Sequence, residues 1–130
     1  MHITKEEALS LLRKWQNEKP LLQCVMYDRI PDTQHATIGL MGFVEQVDAK
    51  SLCIDAKGVD RQYGKYFSCN VDLEGALYQF EELRNSPDES LKLVYESALV
   101  ILLPESGAFC EILVTRPKTE IVDIVLGKQR

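Results

Sequence analysis

A change of hydrophobic period near residue 20 divides this chain into two kinds of structure. Before it, the pattern is helical. Thr4 followed by Glu7 is a capping box: the hydroxyl accepts from the Glu7 N–H, and the carboxylate reaches back to the cap's own N–H. Ile3 precedes the cap and is placed to staple onto Ala8. Ala8, Leu11, Leu12 and Trp15 then recur at the spacing of one helix face, with Arg13, Lys14 and Gln16 turned elsewhere. Pro20 restricts the residue before it and stops the helix near Lys19. The expected helix spans 4–18.

After residue 20 apolar residues recur every second position, which is the period of a strand. Strands are expected over about 21–28, 35–47, 51–56, 63–71, 92–103 and 108–115. Ala36, Ile38, Leu40, Gly42 and Val44 would share one face of the long second strand. Gly39 and Gly42 interrupt it, and glycine inside a long strand marks a bulge, a bend or a close backbone approach. Asp48-Ala-Lys-Ser is a tight connection, and Glu105-Ser106-Gly107 a hairpin turn. The stretch 72–90 fits either a helix or a strand. The tail 117–130 carries Ile121, Val122, Ile124, Val125 and Leu126. Such a run is expected to pair within this chain or with a neighbour rather than stay solvated.

These elements predict a mainly β, α+β fold: an N-terminal helix followed by a strongly bent antiparallel sheet, in one domain over 1–130. A chain of 130 residues buries roughly two-thirds of its unfolded surface, enough for a core without metals or disulfides. No window approaches the length of a spanning helix, and the polar start Met1-His2-Ile3-Thr4-Lys5 is unlike a signal peptide. The expected location is cytoplasmic, with no membrane partner.

Motifs that carry chemistry are absent from the sequence. The four cysteines, Cys24, Cys53, Cys69 and Cys110, contain no Cys-x-x-Cys and sit in apolar runs. They read as buried thiols acting as small hydrophobes, not as metal ligands. His2 lies in a terminus expected to fray, and His35 at the mouth of a strand reads as a surface residue. No Gly-x-Ser-x-Gly and no glycine-rich phosphate loop occur. Glu6-Glu7 and Glu81-Glu82 read as solvated pairs. No catalytic, cofactor-binding or metal-binding residue is assigned, and no cofactor is expected.

The net charge of −5 and the scattered Lys and Arg disfavour nucleic acid, which rewards clustered cations. Arg61-Gln-Tyr63-Gly-Lys65-Tyr66-Phe67 alone interleaves aromatics with cations. It reads as a hairpin loop entering a strand with Phe67 in the core.

One stretch is similar to the first motif of the Sm-like small-barrel family. Gly42-Phe43-Val44-Glu45-Gln46-Val47-Asp48, followed by Leu52-Cys53-Ile54, resembles that family's Gly-x-Leu-x-x-Phe-Asp run and its next strand, over about a tenth of the chain. The resemblance implies a small open barrel that forms rings, and Asp48 is the polar position that carries over. The family's Met-Asn and Arg-Gly residues, through which it contacts RNA, are missing; Ser51 and Pro104-Glu-Ser-Gly stand in those regions. The expected function is therefore a non-enzymatic β module acting by self-association or by binding a protein. An Sm-like RNA binder and a carboxylate-based enzyme or small-ligand binder are the alternatives.

Overall fold

A computed structural model of the chain describes residues 1–27, 36–56 and 68–117. In chain order the elements are β1 (His2–Ile3), α1 (Lys5–Glu18), β2 (Leu22–Tyr27), β3 (Ala36–Val47), β4 (Ser51–Asp55), β5 (Ser68–Asp72), β6 (Leu77–Glu82), α2 (Glu89–Val94), β7 (Tyr95–Leu103) and β8 (Ala108–Thr115). Among the described residues all eight strands join one antiparallel sheet, in the order β1-β6-β7-β8-β2-β3-β4-β5, and no pairing closes it.

α1 forms as its sequence dictates. The Glu7 N–H donates to the Thr4 hydroxyl at 3.1 Å, and the Thr4 N–H donates to the Glu7 carboxylate at 3.0 Å. At the other end Lys19 adopts φ 54°, and its N–H donates to the Trp15 carbonyl. A left-handed cap of this kind satisfies a carbonyl that the helix leaves open. Ala8, Leu9, Leu12 and Trp15 are buried against Leu22, Leu40, Val44, Leu99, Ile101 and Ile112 on one face of the sheet.

β3 is the strand on which the sheet turns. Its first half, through Gly42, pairs with β2, and from Phe43 onward it pairs with β4. Glu45 is skipped in the pairing with β4, a bulge that increases local twist. Gly42 makes this handover feasible: a Cβ there would lie 2.3 Å from the Asp55 carbonyl oxygen. At Gly39 a Cβ would meet no described residue within 4 Å, so of the two glycines Gly42 is the one that answers to a close approach.

Several expectations change. β1 pairs His2 with Gln79 and Ile3 with Tyr78, and the Phe80 N–H donates to the Met1 carbonyl, so His2 is held in a strand rather than frayed. The stretch 72–90 contains strand β6, with Tyr78 and Phe80 facing the core. The seventh strand begins at Tyr95, not at 92. Asp88 caps the short α2 through hydrogen bonds from the Ser90 and Leu91 N–H groups, and the helix takes Lys92–Val94. For the strand expected over 63–71, the part 63–67 lies outside the described residues, as do the tail 118–130, His35, Arg61 and Lys65.

Candidate functional site

Two features of the sheet stand out: an edge that no other described strand covers, and a cluster of three sulfurs that the curl brings together.

The edge is β5. Its pairing with β4 places Asp72 opposite Ser51, Val71 opposite Leu52, Asn70 opposite Cys53 and Cys69 opposite Ile54. The Leu73 N–H donates to the Lys50 carbonyl, one step further along. Antiparallel pairs alternate between bonded and non-bonded. Val71 and Cys69 therefore turn their main-chain groups toward β4, and those of Asn70 and Asp72 point away from it. Among the described residues nothing pairs with that outer side. The opposite end of the sheet is blunted, because β1 is two residues long and runs straight into α1. Burial along β5 alternates, with Cys69 and Val71 inside and Asn70 and Asp72 outside.

The sulfurs belong to Cys24 on β2, Cys110 on β8 and Cys69 on β5. Cys24 lies opposite Ile112, and Cys110 opposite Met26, so the two cysteines are diagonal neighbours on one face. Their Sγ atoms are 3.5 Å apart. Cys69 comes from the far edge of the sheet, yet all three Sγ atoms lie within 4.8 Å of one another, with each residue 0% exposed. An edge strand meets the middle of its own sheet only if the sheet curls over its core. The trio thus records a curl that strand order alone does not show.

Hydrogen bonding divides the three thiols. Cys110 is raised well above the usual thiol range by its bonds to Cys24 and Cys69, and further by burial. Bonds from Cys110 and Cys24 lower Cys69, against the effect of burial. For Cys24 the bond with Cys110 lowers the pKa, but the bond to Cys69, burial and the charge at Cys69 outweigh it, leaving the thiol raised. Cys69 is therefore the sulfur on which a negative charge is best received. Cys53 faces the other side of β4, partly exposed. Its thiol is raised by burial and by the neighbouring Asp55 and Glu45 carboxylates.

Asp48, the polar position of the Sm-like stretch, is committed to its own turn. Its carboxylate accepts from the Lys50 and Ser51 N–H groups at 2.8 and 2.9 Å and from the Ser51 hydroxyl. The two N–H bonds hold its pKa below the ordinary aspartate value. Glu6, Glu7, Glu81 and Glu82 are exposed. On the sheet face away from α1, Leu77, Leu102, Phe109 and Tyr27 lie in one register row across β6, β7, β8 and β2, with Leu77 56% exposed. Tyr27 and Phe109 stack with ring centroids 4.6 Å apart. Glu111 sits half-buried in the next row between Val25 and Val100, and burial raises its carboxyl.

Sequence reasoning missed the thiol trio. The cysteines lie far apart in the chain, and the one available signal is that Cys24, Cys69 and Cys110 all take the inward phase of their strands. No helix among the described residues is long and apolar enough to cross a membrane. In comparisons with known proteins the chain matches no family model, no curated protein and no solved structure.

Proposed function

We infer that this protein is a non-enzymatic β module that works by association, and that its partner at β5 is a second copy of itself. The observation that supports this reading is the outward-facing main chain of Asn70 and Asp72. An unpaired edge is a template for another strand. Two β5 edges brought together antiparallel about a two-fold axis are complementary by symmetry. Each Asn70 then donates its N–H to the other's carbonyl, with no change in either subunit. β5 carries neither proline nor lysine, residues that commonly protect an edge. The finer Sm-like reading, a small barrel that assembles edge to edge, is part of the same proposal, but pairing β5 with itself closes a dimer rather than a ring or a filament.

Sedimentation velocity on the full chain tests it, with Asn70→Pro as the probe. Proline lacks an N–H, and at Asn70 the one it removes points away from β4, so the fold tolerates it while the contact between copies does not. The wild type should sediment as an oligomer at micromolar concentration, and Asn70→Pro as a folded monomer. A wild type that stays monomeric across the concentration range, or a folded Asn70→Pro variant that associates unchanged, overturns the proposal.

A further inference from the structure

The geometry points to a second property, independent of association: Cys24, Cys69 and Cys110 form a buried three-sulfur site for a single monovalent copper ion, Cu(I).

The positions of the sulfurs carry the case. With one side of the triangle at 3.5 Å and the others no longer than 4.8 Å, a common point lies within about 2.6 Å of all three sulfurs, close to the roughly 2.3 Å of a metal–thiolate bond. Small rotations about the cysteine side-chain bonds cover the difference. The strands need not move, because the three residues already face one point from three separate strands.

The donor set selects the metal. Among the described residues the cluster holds three sulfurs and no imidazole or carboxylate. Thiolates are soft ligands and favour Cu(I), zinc and iron–sulfur clusters. Zinc in a closed protein site is almost always four-coordinate, and among the described residues no fourth Cys, His, Asp or Glu joins the three sulfurs. A three-sulfur set without a fourth donor suits a soft ion of low coordination number. Each thiol that ligates as thiolate gives its proton to solvent. The surroundings, Leu22, Leu40, Ile54 and Ile112 among them, are apolar and buried. Such a shell shields bound Cu(I) from water and oxidants. Cys69 lies on the edge strand, so opening β5 admits the ion and binding ties β5 to β2 and β8.

The test uses the full chain, reduced and anaerobic, titrated with Cu(I) in competition with a colorimetric Cu(I) chelator. X-ray absorption at the copper edge then counts the neighbours. The expected result is one Cu(I) per chain with three sulfur neighbours at about 2.3 Å. Cys53→Ser should leave uptake unchanged, and Cys69→Ser should weaken it at least tenfold. No uptake by the wild type, two or fewer sulfur neighbours, or uptake lost with Cys53→Ser each overturns the site. So does displacement of Cu(I) by an equal concentration of Zn(II). The wild-type coordination number decides the matter even if Cys69→Ser fails to fold.

Discussion

Replacing Gly42 by alanine, with Gly39→Ala as its partner, isolates the handover of β3 from β2 to β4. At Gly42 the added carbon would sit 2.3 Å from the Asp55 carbonyl oxygen, 2.7 Å from its carbon and 3.0 Å from the Ala56 nitrogen. These are main-chain atoms and have no rotamer to escape into. An ordinary contact is near 3.5 Å, so β4 must withdraw by about 1 Å, which loosens the pairing of Phe43 with Asp55. Overpacking of this kind costs about 1–3 kcal/mol, and contact with backbone places Gly42→Ala near the upper end. At Gly39 a methyl group meets nothing within 4 Å among the described residues. There the reduced freedom of the unfolded chain should give a gain of about 0.4–1 kcal/mol. Urea denaturation reads both variants. With m of about 2 kcal/mol/M, Gly42→Ala should lower the midpoint by about 1.5 M and Gly39→Ala should raise it slightly, with m unchanged. Equal midpoints for the two variants would refute the close approach as the reason for Gly42.

Two further variants probe buried polar groups. The Tyr78 hydroxyl is buried, 3% exposed as a residue, and finds no hydrogen-bond partner among the described residues. Tyr78→Phe should therefore stabilise the fold by about 1 kcal/mol in the same urea assay, and a loss of that size would show that the hydroxyl is satisfied. Burial raises the Glu111 carboxyl above its unfolded value, so the folded state holds the proton more tightly than the unfolded one. Stability is then lost as pH rises from the ordinary glutamate value, about 4.3, through the higher folded value. Unfolding midpoints of wild type and Glu111→Gln should keep a constant offset below that window, shift in favour of the variant across it, and stay parallel above it. An offset independent of pH would contradict the cause assigned to the shift.

The sequence announces its local structure more clearly than its long-range pairing. The first helix is legible because start, stripe and stop agree: Thr4 with Glu7, Leu12 with Trp15, then Lys19 before Pro20. The last hairpin is legible for a similar reason, since Gly107 takes the positive φ that its turn requires. The stretch around Phe80 is not. Leu73, Ala76, Leu77 and Phe80 keep a helical spacing while Leu73, Tyr78 and Phe80 suit a strand, and the choice falls to strand because β7 is there to pair with it. α2 escapes a reading by period because it is six residues long with no buried side chain, and it forms on the strength of the Asp88 cap. The candidate sites depend on strand order and curvature. That β5 is an edge, and that Cys69 meets Cys24 and Cys110, follow from which strands neighbour which. Alternation within any one strand does not encode this.

The main chain of β5 is where association is seen most directly. Hydrogen exchange resolved to single amides, followed over a series of protein concentrations, reports whether the outward N–H groups of Asn70 and Asp72 acquire partners. If β5 pairs with a second copy, their exchange should slow as concentration rises, in step with the oligomer, while the Val71 amide facing β4 stays protected throughout. Rapid exchange of Asn70 and Asp72 at concentrations where the protein is already oligomeric would contradict the pairing of β5 edges.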